Sequence, residues 1–415
     1  MPFETPLITM LALAFVIAFA FGFVARQFRL SPLVGYLLAG IAVGPYTPGY
    51  VADTVLAQQL AEVGVILLMF GVGLHFSPRD LTRVHWIAIP GALAQIIVAS
   101  VLGFGLAQVF GWGVGGGVVF GLALSVASTV VLRRALEARG EMDSEHGRIA
   151  VAWLVVEDVF MVAVLLFLPA LADTLGGRPA AFATENLAFD LLLTVFRIAA
   201  FAVLAVVVGR RAIPWLLQRV AATESPELFT LAVLACALGI AWAAALLFDI
   251  SFAVSAFFAG VIMNESEVSR DAARRSLPFR DAFAVLFFVS VGMLFDPSLL
   301  TDATWPLLAV LLIIIIGKSL AAFLIVLAMR HPLMSALTVS ASLAQIGEFS
   351  FILVSMGVSY GLLPMEGRDL VLAGAFLSIA SNPLLFRLLA PVESWLRERP
   401  DLLRRLGAKD DQEID

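Results

Sequence analysis

Along the chain, apolar runs alternate with short charged or Gly/Pro-rich breaks. The runs fall at about 6–25, 32–48, 56–76, 86–110, 116–136, 149–172, 187–208, 227–248, 251–264, 278–295, 304–329, 332–358 and 368–390. Most approach the roughly 20 residues that carry a helix across a bilayer. They are apolar all round instead of alternating over about 10 residues, so they predict helices and not barrel strands. The start, Met-Pro-Phe-Glu-Thr-Pro, lacks a basic segment, so the first run is expected to be a retained helix and not a cleaved signal. The pattern predicts an all-α membrane protein of about 13 transmembrane helices.

Lys and Arg test the topology independently. Alternate connections carry Arg26 and Arg29; Arg79 and Arg83; Arg133, Arg134, Arg139 and Arg148; Arg210, Arg211 and Arg219; Arg270, Arg274, Arg275 and Arg280; and Arg330, and the basic residues of the tail continue the series. The opposite side holds only Arg178 and Arg368. By the positive-inside rule the N-terminus is outside, the C-terminus is cytoplasmic and the span count is odd. A plasma (inner) membrane location is expected, with residues 1–392 forming the membrane domain and 393–415 a charged cytoplasmic tail.

The chain also repeats itself. Ser31-Pro-Leu-Val-Gly-Tyr-Leu-Leu-Ala-Gly40 resembles Ser251-Phe-Ala-Val-Ser-Ala-Phe-Phe-Ala-Gly260 at an offset of 220, and Phe70–Pro78 resembles Val289–Pro297 at an offset of 219. Shared composition would not by itself align Gly73 with Gly292, Phe76 with Phe295 and Pro78 with Pro297. Equivalent spans lie seven apart, an odd number, so the two halves sit upside down relative to each other. Inverted repeats mark alternating-access transporters, with the site at mid-membrane where the halves meet.

At 61% hydrophobic and 14% charged residues, no large soluble domain fits beside the spans. The basic residues are scattered and not gathered in a stripe, which argues against nucleic-acid binding. A single cysteine, Cys236, excludes an internal disulfide and a cysteine metal cluster. Gly111-Trp-Gly113-Val-Gly-Gly116 fits a dinucleotide pattern but follows no strand, so it reads as a turn. His75, His85, His146 and His331 fall at cytoplasmic edges and read as solvated loop residues. Neither a cofactor nor a resident metal is expected.

The charges within spans ask for a function, because each costs at least about 2.5–3.5 kcal/mol near the bilayer centre. Glu157 and Asp158 stand mid-way along the sixth span, and Lys318 stands mid-way along the eleventh, in the other repeat. Neighbours on a helix point about 100° apart, so one acid can face an ion path while the other faces a fixed cation. A carboxylate removed from water can hold a proton or a hard monovalent cation, but not usefully both, and that competition is the minimum machinery of an exchanger. Ser125, Ser128 and Thr129 in the fifth span and Ser340, Ser342, Gln345, Gly347 and Glu348 in the twelfth occupy corresponding places, at an offset of about 217. Local unwinding there would free carbonyls and aim helix ends at an ion, whereas close packing alone would also use small hydroxyl residues. Glu348 reads either as an ion-path residue or as a partner of Arg197. Arg197 and Asp190 in the seventh span receive no role, and Glu62 and Asp249 fall near the outer interface.

Together, Gly-Val-Gly-Leu-His-Phe-Ser-Pro closing the third span, the Glu157-Asp158 pair, Phe-Phe-Val-Ser-Val-Gly-Met-Leu-Phe-Asp-Pro closing the tenth, Lys318 and Gln-Ile-Gly-Glu-Phe resemble the monovalent cation:proton antiporter-2 family, nearest to its Kef-type potassium efflux members. The resemblance covers residues 6–390. It implies a sodium/proton antiporter-like fold, with a mobile core riding on a dimerisation domain in a homodimer, and with two unwound helices, the fifth and twelfth spans, crossing at the ion site. Asp158 matches the residue that carries ion and proton, and Lys318 the basic partner of the preceding acid. That preceding position is Gln in glutathione-gated potassium members and Asp in many electrogenic sodium antiporters, so Glu157 bears on both selectivity and stoichiometry. The nucleotide-binding regulatory domain that follows the last span in many relatives is not expected in this chain.

The expected function is exchange of a monovalent cation, potassium first and sodium second, for protons. Asp158 binds either guest, Glu157 and Lys318 form a buried pair, and Ser125, Ser128, Thr129 and Gln345, with Glu348, supply or orient oxygens. Membrane lipid and a second copy of the chain are the other expected partners. A sodium-coupled organic solute symporter of the bile-acid type is the alternative, and would need further polar residues lining a cavity. A gated channel has no use for a buried acid pair facing a lysine. An intramembrane enzyme would need a nucleophile with its base, or metal ligands such as His-Glu-x-x-His, and no span offers them.

Overall fold

The computed structural model describes residues 6–28, 30–48, 53–75, 78–179, 186–204, 207, 209–248, 250–264 and 267–399, which fold into helices and their connections. Asp249, Phe76 and the tail beyond residue 399 lie outside the described residues, as do the side chains of His75 and residues 267–277.

The first repeat comprises α1 (Pro6–Gln27), α2 (Pro32–Val43), α3 (Thr54–His75), α4 (Pro78–Val109), α5 (Val114–Ser125), α6 (Thr129–Arg139) and α7 (Glu145–Leu171). After α8 (Leu187–Leu204) and α9 (Arg210–Ala221), the second repeat runs through α10 (Pro226–Phe248), α11 (Phe252–Asn264) and α12 (Glu267–Met293). It continues with the short α13 (Leu299–Asp302), then α14 (Thr304–Leu311), a π turn over Leu312–Gly317 and α15 (Lys318–Ala328), and ends with α16 (Leu333–Leu343), α17 (Glu348–Ser359) and α18 (Met365–Arg397). The offset read from the sequence reappears in the elements: α5, α6 and α7 start 219, 219 and 220 residues before α16, α17 and α18.

The repeat is also visible as packing. A Cβ on Gly40 of α2 would lie 2.0 Å from Val289 O of α12, and one on Gly292 would lie 2.2 Å from Leu37 O. In the same way, a Cβ on Gly73 of α3 would lie 2.1 Å from Phe257 O of α11, and one on Gly260 would lie 2.2 Å from Phe70 O. The repeat maps Gly40 onto Gly260 and Gly73 onto Gly292, so these two crossings are one contact repeated by the pseudo-twofold axis. Between apolar helices in lipid, close approach of backbones replaces the hydrophobic drive available in water. Both short helices of these crossings start at a serine: Ser31 Oγ accepts from Leu33 N at 3.4 Å and Ser251 Oγ from Val254 N at 3.4 Å.

Gly73→Val is therefore expected to remove most folded protein from the membrane, because the side chain meets backbone that cannot turn aside. Gly105→Ala, whose Cβ meets nothing within 4 Å, is the matched control. Gel filtration of a fluorescent fusion checks both, and a monodisperse Gly73→Val protein at wild-type yield would contradict the packing.

Around these crossings α1–α3 and α10–α12 form one packed group. A second core gathers Ala92 of α4, Leu132 of α6, Trp153 of α7, Ala322 of α15, Leu343 of α16 and Phe386 of α18. Large apolar side chains on the outside, such as Phe19, Trp86, Leu192 and Trp305, form the lipid-facing surface.

All thirteen apolar runs are helical, but lengths and composition alone qualify fewer spans. Among the described residues nine stretches are long and apolar enough to cross, ten when α16 and α17, bent by 41°, count as one. At about 1.5 Å per residue, α2 (12 residues) and α11 (13 residues) are shorter than a bilayer core of about 30 Å. The expected connection after the seventh span contains α9, with Ile213 and Leu217 buried and Arg219 stacked over exposed Trp215 at 5.3 Å. Its apolar face is too narrow to register as a span. Helices α4 and α12 start well before their apolar stretches, because a hydropathy reading sees only the apolar part of a helix whose polar end continues beyond it.

Candidate functional site

Two helices are broken. Helix α5 stops at Ser125 and α6 starts at Thr129, with Val126 (φ −101°, ψ 141°) and Ser128 (φ −85°, ψ 120°) extended between them. Helix α16 stops at Leu343 and α17 starts at Glu348, with Gly347 extended (φ −99°, ψ 172°). Such breaks strand backbone donors and acceptors, and away from water these must be satisfied within the protein.

The two breaks satisfy each other. Gly347 N donates to Val126 O at 3.1 Å. Ser128 N donates to Gln345 Oε1 at 3.1 Å, and Gln345 Nε2 donates back to Ser128 O at 3.1 Å. A Cβ at position 347 would lie 2.5 Å from Ala127 O, so only glycine permits this approach. The remaining ends are closed by neighbouring helices. Ala127 N donates to Glu157 Oε2 of α7 at 2.9 Å, Lys318 Nζ of α15 donates to Gln345 O at 2.9 Å, and Gln95 Nε2 of α4 donates to Ser125 O at 3.1 Å.

Charge follows the helix ends. The positive N-terminal ends of α6 and α17 meet acids: Glu348 is the first residue of α17, and Thr129, the first of α6, donates from Oγ1 to Asp158 Oδ2 at 2.9 Å. The carbonyl just beyond the C-terminal end of α16 meets the Lys318 ammonium. Lys318 follows directly on the π turn of the eleventh run, a local widening of the helix that recurs at functional positions.

Glu157, Asp158, Lys318, Gln345 and Glu348 are all buried, at most 4% exposed. Four of their oxygens complete no hydrogen bond: Asp158 Oδ1, Glu157 Oε1 and both oxygens of Glu348. Asp158 and Glu348, 190 residues apart in sequence, are electrostatic neighbours, with Ser128 beside Glu348. Buried polar groups are nearly always paired, so a concentration of unpaired carboxylate oxygens asks for a positive guest.

The structure thus brings the sequence-derived residues to one crossing, in partly different roles. Lys318 and Glu157 do not approach within ion-pair distance. Each holds one break, Lys318 through Gln345 O and Glu157 through Ala127 N, and their charges act across the crossing. The Ser125 hydroxyl donates to Leu122 O at 2.8 Å, and Ser128 Oγ accepts from Val131 N at 3.2 Å as the cap of α6, so both first serve helix ends. Gln345 is likewise occupied, as the clasp between the two breaks. Ser340 and Ser319 exchange two hydrogen bonds between α16 and α15, at 2.9 and 3.0 Å, which is packing. Arg197 lines a small cavity with Leu166, Pro169, Thr194, Ile198, Phe248 and Ile250. Asp190 is buried on the same helix, and Glu62 is exposed on α3.

Two residues at the crossing escaped the sequence reading. Asn382 of α18 donates to Ala341 O of α16 at 2.9 Å, and Gln95 closes α5. The repeat could have found the second, because moving Lys318 back by the offset reaches residues 95–99, where Gln95 is the only polar side chain.

Inverted repeats built about two broken, crossed helices define the sodium/proton antiporter fold. The sodium proton antiporter MjNhaP1 from Methanocaldococcus jannaschii, solved at pH 8, superposes with a TM-score of 0.69 over 92% of this chain and 96% of that one, at 18% identity. The chain belongs to the transmembrane sodium/hydrogen exchanger family, whose model matches residues 11–390. It is 58% identical over 93% of its length to an Escherichia coli (strain K12) protein provisionally named cation/proton antiporter YbaL, of which it spans 69%. It is 33% identical over 87% of its length to K(+) efflux antiporter 4 of Arabidopsis thaliana, of which it spans 60%.

Proposed function

We propose that this chain exchanges a monovalent cation, potassium first and sodium second, for protons across the membrane by alternating access. The observation that carries the reading is Asp158, buried at the crossing, with Oδ2 fixed by Thr129 and Oδ1 unpaired. The names of the relatives above, a cation/proton antiporter and a potassium efflux antiporter, agree with it.

One fixed oxygen orients the carboxylate and the other faces a guest. A cation and a proton neutralise the same charge, so entry of one favours release of the other, and a single group couples the two fluxes. Glu348 adds a second acid to the site, while the Thr129 and Ser128 hydroxyls and the break carbonyls offer the neutral oxygens that a hard cation prefers. Glu157 and Lys318 brace the crossing from opposite repeats. The helices α2, α11 and the apolar half of α12 supply the further crossings of a thirteen-span topology with the C-terminus in the cytoplasm, and a homodimer completes the arrangement. No observation favours a symporter for an organic solute, since most polar groups of the crossing are engaged with one another and do not line a larger cavity.

In everted vesicles holding a preset acid-inside pH gradient, added potassium is expected to dissipate the gradient strongly and sodium more weakly. Failure of both cations would overturn the proposal. Glu157→Gln keeps an oxygen for Ala127 N and so is expected to keep exchange. It removes one titratable group, so the cation gradient that balances a given pH gradient is expected to change. An unchanged balance point would take Glu157 out of the proton count.

A further inference from the structure

The first repeat has its own counterpart of Lys318, and it carries no charge. Lys318 stands in the run before the broken span α16–α17 and donates to Gln345 O; Gln95 stands in the run before the broken span α5–α6 and donates to Ser125 O. The two donors are 223 residues apart and the two acceptors 220, the spacing of the repeat. The hairpins that carry them pack alike. Gly103 of α4 meets Gly121 of α5 closely enough that an added Cβ would lie 2.7 Å from Gly121 Cα, where the second repeat places Ser319 against Ser340. Each broken helix thus has its C-terminal half closed by one side chain, an ammonium in one repeat and an amide in the other.

A second observation points to the ion. Gln95 is fully buried, and its Oε1 completes no hydrogen bond, which joins it to the unpaired oxygens of Glu157, Asp158 and Glu348. It acts on the same five-residue segment as they do: Gln95 holds Ser125, Glu157 holds Ala127, and Thr129 holds Asp158.

We propose that Gln95 is a positioning residue of the exchanger, fixing the end of α5 without bringing a charge to the crossing, and that this neutrality reserves the Asp158 side of the crossing for the transported cation. A cation at both C-terminal ends would satisfy the helix dipoles twice and would stand where the substrate's charge is needed. An acid there would hold the substrate more tightly. The inference rests on the exchanger reading above, and its test separates the two.

The experiment compares Gln95→Lys, Gln95→Glu and Gln95→Met in proteoliposomes with potassium or sodium as substrate, and by melting in detergent without either cation. Gln95→Lys keeps a donor for Ser125 O and is expected to raise the KM for the cation about tenfold with little change in kcat. Gln95→Glu is expected to lower KM several-fold and, by slowing release, kcat with it. Gln95→Met loses the donor and is expected to melt below wild type, with KM within about twofold. Opposite shifts of KM for opposite charges are what a packing role cannot produce, and one folded charge variant suffices to read the sign. Equal KM in the Lys or Glu variant and wild type, or a Met variant that melts with wild type, overturns the proposal. If wild type itself exchanges neither cation, the exchanger reading falls, and the melting order still decides whether Gln95 closes α5.

Discussion

Asp158→Asn is expected to bring cation-driven dissipation of a pH gradient down to the background of vesicles without the protein, the largest functional loss available from one atom change. The amide occupies the volume of the carboxylate and can still accept from Thr129 Oγ1 through its own oxygen, so the bond measured at 2.9 Å has a replacement and the fold should persist. What disappears is the charge. A neutral side chain has nothing to exchange between a proton and a metal cation, so coupling fails even where a cation can still reach the crossing. The check is the everted-vesicle assay on protein whose gel-filtration profile and melting match wild type. Exchange at the normal rate would remove Asp158 from the mechanism and move attention to Glu348.

Lys318→Met is expected to have the largest effect on stability. The ammonium is fully buried, it is the donor to Gln345 O, and its charge acts on Glu157 across the crossing. Methionine keeps the length of the stem and removes both functions. Removing one partner of a buried charge pair costs about 3–5 kcal/mol, and an orphaned buried carbonyl about 1–3 kcal/mol more. Two effects of that size consume much of a protein's margin, so a marked fall in melting temperature and in membrane yield is expected. Adding Glu157→Gln removes the uncompensated charge and should recover part of the loss, whereas the carbonyl term remains. Melting of Lys318→Met at the wild-type temperature would show that Glu157 and Lys318 do not balance each other.

The sequence reading reached much of this crossing because the bilayer makes certain facts local. Apolar length, the sidedness of arginines and the penalty for a mid-span acid are each decided within one segment, and the repeat is visible wherever Gly, Phe and Pro recur at one spacing. Residues whose role depends on a partner elsewhere were harder to read. Gln95 looks like a stray polar residue until Ser125 O is beside it. The Ser125 and Ser128 hydroxyls look like ion ligands until their own helix ends are seen to hold them. Lys318 pairs by composition with an acid, and its hydrogen bond goes to a carbonyl. Helix α9 was missed because packing on one narrow face, with Leu217 fully buried, holds a segment that is polar on average.

What the sequence determined by itself is therefore the set of apolar helices, their inverted duplication and the few charges placed among them, since desolvation acts on each segment regardless of its neighbours. The tertiary structure alone decided how the breaks close and which oxygens stay open. A backbone unwound in apolar surroundings takes partners from whatever packs against it, and here those partners come from up to 217 residues away. The distribution of bonded and unpaired carboxylate oxygens at Asp158, Glu157 and Glu348 is the outcome of that closure.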